Sequence, residues 1–143
     1  MKIAYMVVKG MPYGAGIEKY TEEVGSRLVK RGHEVVVYSM RGSGAKDGSV
    51  YRGMKIKTVP AINSKSLQKL SASFFSSVKQ LVEPDCDIVH FHAFGSAVFS
   101  FLPRLRGRKV VVQGHGLEWK RSRWGLGGRL FLKFGEKHDV AFP

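Results

Sequence analysis

Apolar runs five to seven residues long alternate along this chain with stretches where apolar positions recur every three or four residues. Lys2-Ile3-Ala4-Tyr5-Met6-Val7-Val8 is almost unbroken in apolar character and predicts a strand over 3–8 that is buried on both faces. Ile17, Tyr20, Val24 and Leu28 then fall on one stripe of a helix over 17–30. Arg31-Gly32-His33 supplies the glycine stop and the cations expected at a helix C-terminus. Glu34-Val35-Val36-Val37-Tyr38 predicts the second strand, and the alternation of Met54-Lys55-Ile56-Lys57-Thr58-Val59 a third with one exposed face, closed by Pro60. A helix over 66–82 carries Leu67, Leu70, Phe74, Val78 and Leu81 on one face, and Pro84-Asp85 breaks it.

Beyond that break, strands over 88–92 and 109–113 flank a helix over 96–105. Residues 41–48 are rich in Gly and Ser without apolar periodicity and are expected to form a mobile loop. A last helical pattern over 128–137 runs into Val140-Ala141-Phe142-Pro143, where a further strand begins just as the sequence stops. The chain therefore reads as one truncated domain, 1–143. Strands alternating with crossover helices predict an α/β fold, a Rossmann-like parallel sheet with helices on both faces.

Length and composition narrow the class. At 143 residues and 43% hydrophobic content the chain can build one real core. No apolar run reaches the length that spans a bilayer, and no signal-peptide pattern precedes the first strand. The single cysteine, Cys86, cannot form an internal disulfide; flanked by Asp85 and Asp87, its thiol is expected to have a raised pKa and to be inert. A cytoplasmic location is the expectation.

In open parallel sheets ligands bind beyond the carboxyl ends of the strands, which selects residues 10–16, 92–96 and 114–120. The first of these, Gly10-Met11-Pro12-Tyr13-Gly14-Ala15-Gly16, feeds a helix N-terminus, so the backbone N–H groups of Gly14, Ala15 and Gly16 suit phosphate. It departs from the dinucleotide fingerprint: Lys19 stands where a third glycine belongs, the loop is too long, and no acid follows the second strand. Arg41 would still suit a 2′-phosphate, so an NADP-dependent oxidoreductase remains the first alternative.

His90 and His92 share one face of a strand. His92, at its end, is placed to reach a substrate, whereas His90 reads as a buried histidine. No carboxylate or cysteine stands at a spacing that would complete a metal site with them. His115 ends another strand and is a comparable candidate for binding a sugar hydroxyl or phosphate. Glu118 beside Trp119 suits carbohydrate, the carboxylate accepting hydroxyl hydrogen bonds and the ring covering an apolar sugar face. Glu18, in the first turn of the first helix, is read as a favourable N-terminal charge.

Taken together, four segments resemble the N-terminal domain of glycosyltransferase family 4. They are Gly14-Ala15-Gly16-Ile17-Glu18-Lys19-Tyr20, Lys30-Arg31-Gly32-His33-Glu34-Val35, Asp87-Ile88-Val89-His90-Phe91-His92 and Gly114-His115-Gly116-Leu117-Glu118-Trp119-Lys120-Arg121. The stretch from His115 to Gly125 further resembles a subgroup that includes rhamnosyltransferases and other capsule or lipopolysaccharide transferases. The resemblance implies one half of a GT-B enzyme, two Rossmann-like domains facing across a cleft, with most donor-binding residues in a C-terminal domain absent here. It implies transfer of a hexosyl group from a nucleotide-sugar with retention of configuration and without a metal or other cofactor. Gly14, Ala15 and Gly16 would approach the donor diphosphate, and His92 the transferred sugar. His115, Glu118 and Trp119 would lie on the acceptor side. Ala15 stands where the family commonly has glycine.

Charge adds the choice of partner. Lys and Arg outnumber Asp and Glu 24 to 11, a net charge of +13. Between residues 104 and 133 only Glu118 opposes the cations, and Lys120, Arg121, Arg123 and Arg129 alternate with Trp and Phe rings. That mixture suggests a surface that meets an anionic membrane, hence a peripheral protein on the inner face of a membrane and a lipid-linked or glycan acceptor, rather than nucleic acid. A non-catalytic basic module that binds membrane or nucleic acid is the second alternative.

Overall fold

The computed structural model describes residues 1–12, 16–64, 67–83, 86–114, 125–130 and 133–134. Its centre is a six-stranded sheet built from β1 (Lys2–Val8), β2 (Glu34–Met40), β3 (Val50–Tyr51), β4 (Met54–Val59), β5 (Ile88–His92) and β6 (Lys109–Gln113). The spatial order is β3-β4-β2-β1-β5-β6, parallel throughout except for β3, which pairs antiparallel with β4. The chain winds outward from β1 to β2 and β4, then returns to the other side of β1 to lay down β5 and β6. The order of winding thus reverses between β1 and β5, the crevice where such sheets bind ligands.

β1 is buried on both faces because nothing in it is polar beyond Lys2. On one face Ile3, Tyr5, Val35, Val37, Met54 and Ile56 pack against Tyr20, Leu28 and Val29 of helix α1 (Gly16–Lys30). On the other, Ala4, Met6, Val36, Tyr38, Val89 and Phe91 lie under helix α2 (Gln68–Val82) and the short helices α3 (Phe94–Ala97) and α4 (Phe101–Leu105). A register shift between Tyr5 and Val8, with Val7 at φ 61°, puts Met6 and Val7 on the same face and Val8 back beside Tyr5. A β-branched residue in the left-handed region is an outlier. The irregularity re-aims the strand just before the glycine loop.

Four features depart from the sequence pattern. The helix expected over 96–105 is two short helices joined by a turn at 98–100. Pro103 explains the break: it has no N–H to give and is accommodated only in a first turn, so the helix restarts at Phe101. β3 is too short to leave a periodic signal. A two-residue turn, Arg52 at φ 47° and Gly53 at φ 80°, folds it onto β4 as a hairpin. The 41–48 loop is tied down, since Asp47 Oδ1 accepts from the Thr58 amide at 2.6 Å and Gly48 N–H donates to Ile56 O at 2.9 Å. Residues 126–130 and 133–134 are helical and overlap the expected 128–137 segment, whereas the strand expected at the end of the sequence lies outside the described residues.

The fourth departure concerns α2, which is inverted. Its apolar stripe faces out, with Phe74, Phe75, Val78 and Val82 exposed, and its buried face is Ala72, Ser73, Ser76, Ser77 and Gln80. Small side chains let the helix sit close on the large sheet residues Met6, Met40 and Phe91. Ser73 donates to Ser96 O, and Ser76 to Ala72 O at 2.7 Å. Gln80 donates to the Tyr38 hydroxyl at 2.5 Å, and that hydroxyl donates to Glu83 Oε2 at 2.5 Å. Arg106 and Arg108 close the C-terminus of α2, donating to Leu81 O and Glu83 O at 2.6 Å each, where helix carbonyls lack internal partners.

Candidate functional site

The carboxyl ends of β1 and β5 are neighbours: Tyr5 pairs with His90 and Met6 with Phe91. The glycine loop therefore leaves one side of the switch-point crevice and residues 93–97 the other. Two devices hold the loop. Lys9 N–H donates to Glu18 Oε1 at 3.1 Å, tying the end of β1 to the first turn of α1. Gly10 packs against the 41–44 loop so closely that a Cβ there would stand 2.6 Å from Ser43 O. Glu18 is thus more than a favourable helix charge. It is 7% exposed and spans the base of the loop. Gly16 opens α1 with nothing within 4 Å of the position a Cβ would take.

His92 ends β5 and is 2% exposed, enclosed rather than displayed in an open cleft. Its ring stacks on Tyr5, centroids 5.6 Å apart, and on His90 at 4.7 Å, and meets Tyr20 edge-on at 5.6 Å. Nε2 lies 3.1 Å from Thr21 Oγ1, and Thr21 Oγ1 donates to Ile17 O at 2.9 Å. A hydroxyl has one proton. With it committed to Ile17, Thr21 accepts from His92, which places the imidazole proton on Nε2. Burial, with Tyr20 nearby, pushes the Tyr5 hydroxyl up to about 12, so this phenol is neutral at any physiological pH. His90 is buried as the sequence suggests, in the same aromatic group.

The chain turns out of β5 through Ala93, at φ 72°, whose N–H donates to Gln113 O at 2.8 Å and so joins the ends of β5 and β6. Ser96 donates to His92 O and, at 2.8 Å, to Ala93 O. Of the residues selected from sequence, the structure brings His92 and the first turn of α1, begun by Gly16, to one crevice. Arg129 is exposed on the 126–130 helix. Gly14, Ala15, His115, Glu118, Trp119, Lys120, Arg121 and Arg123 lie outside the described residues. Among the described residues no three His, Cys, Asp or Glu side chains gather as metal ligands, and no helix is long and apolar enough to cross a membrane.

Cys86 is buried, its Sγ donating to Ile88 O at 3.0 Å, and burial pushes the thiol above its ordinary pKa. The direction matches the sequence reading. The cause is desolvation rather than the flanking aspartates. Thr21 and Tyr5 went unseen in the sequence. Thr21 left one signal, a small hydroxyl on the inward side of α1, one turn after Ile17.

A mostly parallel sheet whose first helix and terminal histidine meet at the switch point defines a Rossmann-like domain. The sequence model of glycosyltransferase family 4 matches residues 14–138. The chain belongs to glycosyltransferase family 4 and carries its N-terminal domain, one Rossmann-like half of a GT-B fold. No curated protein matches the chain closely enough to add a particular activity.

Proposed function

We propose that this domain forms the acceptor-side wall of a sugar-transfer cleft. A hexosyl group passes from a nucleotide-sugar to a lipid-linked or glycan acceptor in the synthesis of cell-surface polysaccharide. A donor-binding domain outside residues 1–143 supplies the other wall, and the protein works at the inner face of a membrane. One observation carries the reading: in a family 4 domain, the glycine loop and His92 leave adjacent strands at the point where the sheet's winding reverses.

In this reading the bond between the anomeric carbon and the diphosphate breaks as the bond to an acceptor hydroxyl oxygen forms, and the hydroxyl proton leaves on the departing diphosphate. The departing diphosphate gains charge. Backbone N–H groups of Gly14, Ala15 and Gly16, with the positive end of α1, stabilise it without a metal. His92, enclosed with its Nε2–H on Thr21, shapes the wall that faces the sugar from behind; His115, Glu118 and Trp119 hold the acceptor. Lys120, Arg121, Arg123 and Arg129 face anionic lipid. The anomeric configuration is retained.

The test is transfer of label from a panel of nucleoside-diphosphate sugars into lipid-extractable product, by the protein that joins this domain to its donor-binding partner. Transfer by that protein, and none by residues 1–143 alone, is the expected result. Tight NADPH binding with hydride transfer would overturn the reading.

A further inference from the structure

The sequence points to His92 as a residue that reaches substrate, yet at 2% exposure its ring offers a ligand almost no surface. Its contacts run into the protein instead. Nε2 meets Thr21 Oγ1 at 3.1 Å, and that hydroxyl donates to Ile17 O at 2.9 Å. In the other direction His92 O accepts from Ser96 Oγ, and Ser96 O accepts from Ser73 Oγ. Thr21, His92, Ser96 and Ser73 are all buried.

These contacts form one line. It begins at the first turn of α1, passes through the end of β5 and finishes on α2, so it threads the sheet from one covered face to the other. Both lips of the crevice lie on it. Ile17 directly follows Gly16 on the first lip, and Ser96 belongs to residues 93–97 on the second. Each hydroxyl along the line has an acceptor for its one proton, and Thr21 has a lone pair left for the His92 Nε2–H. Such a line is stiff, because breaking any link leaves a buried polar group without water to replace its partner.

We infer that His92 is a positioning residue rather than one that touches the sugar. Through Thr21 it fixes the first turn of α1, and with it the amides of Gly16 and Ile17, relative to residues 93–97. The benefit to a bound diphosphate rests on the function proposed above; the linkage itself does not.

The experiment has two arms, the first without any nucleotide-sugar. Imidazole nitrogen NMR spectra of the chain should show the His92 proton on Nε2 in the parent and in Thr21→Ser, and no longer held there in Thr21→Val. A parent with that proton on Nδ1 overturns the inference, and this reading needs no variant to fold.

The second arm uses the reach of amide side chains in the protein that joins this domain to its donor-binding partner. Glutamine can place an N–H where Nε2–H stands, whereas asparagine stops short at the position of Nδ1. His92→Gln should therefore keep kcat and the nucleotide-sugar KM close to the parent's. His92→Asn should raise that KM about tenfold, the loss expected of one hydrogen bond, with the acceptor KM unchanged. A folded Gln variant no better than the Asn variant overturns the inference, since the imidazole itself would then be needed. Should the Gln variant misfold, Thr21→Val against Thr21→Ser gives the same comparison, and equal KM values for the two overturn it. If the parent turns over no nucleotide-sugar, the proposed function fails while the first arm still decides the linkage.

Discussion

Thr21 and His92, 71 residues apart in sequence, meet at 3.1 Å inside the crevice, hydroxyl to imidazole. The contact joins the helix that presents the glycine loop to the strand that presents the histidine, and it fixes which ring nitrogen holds the proton.

Thr21→Val keeps the shape and removes the acceptor facing Nε2. A buried donor that loses its partner costs about 1–3 kcal/mol, which denaturant unfolding would show as a lower midpoint with an unchanged slope. Thr21→Ser should recover most of the loss. Equal stability of the Val variant would show that the contact holds nothing.

Glu18 gives a second prediction. Its carboxylate accepts from Lys9 N–H at 3.1 Å with the side chain buried. Glu18→Ala should cost about 1.5–3 kcal/mol, as for other hydrogen bonds to charged groups, and Glu18→Gln less. Amide exchange at Lys9 should accelerate most in the alanine variant. A Lys9 rate unmoved by both substitutions contradicts the assignment.

The two glycines that bracket the loop should behave oppositely. A Cβ at Gly10 would collide with the Ser43 backbone, so Gly10→Ala should cost about 1–3 kcal/mol. Gly16 has open space around it, and alanine in a helix is favoured by up to about 1 kcal/mol, so Gly16→Ala should melt no lower than the parent. Its methyl would nonetheless stand beside the amides proposed to meet the diphosphate, and nucleotide-sugar binding should weaken. Loss of stability without loss of binding would reverse both assignments.

Acid should loosen the fold through Glu83. Burial alone would raise its carboxyl pKa, but hydrogen bonds from Lys57 and Tyr38, with the charges of Lys57 and Lys79, outweigh that and hold it below its ordinary value. A depressed carboxylate contributes stability that is present above the unfolded pKa of about 4.3 and is lost as pH falls through the folded value. Glu83→Gln should therefore flatten the acid limb of the stability profile. An acid limb as steep as the parent's would place its origin elsewhere.

Much of the architecture is legible because β1 and β2 are nearly continuous apolar runs, the pattern of strands covered on both faces of a parallel sheet. The rule that ligands sit at strand carboxyl ends then pointed to Gly16 and His92 without any coordinates. The orientation of α2 was illegible, since periodicity marks a stripe but not what it faces, and serines reach the core here only because Met6, Met40 and Phe91 fill the space. The enclosure of His92 was hidden for a related reason. Tyr5, Tyr20 and Thr21 surround it only once β1, α1 and β5 have assembled, and no spacing in the chain records that.

The central claim is that this crevice receives a nucleotide-sugar, and amide NMR titration of the chain tests it most directly. Nucleoside-diphosphate sugars should shift Gly16, Ile17 and His92 in a saturable way, and NADPH should not. Saturable NADPH shifts at those residues, or a full panel of nucleotide-sugars that leaves Gly16 and His92 unmoved, would contradict the account.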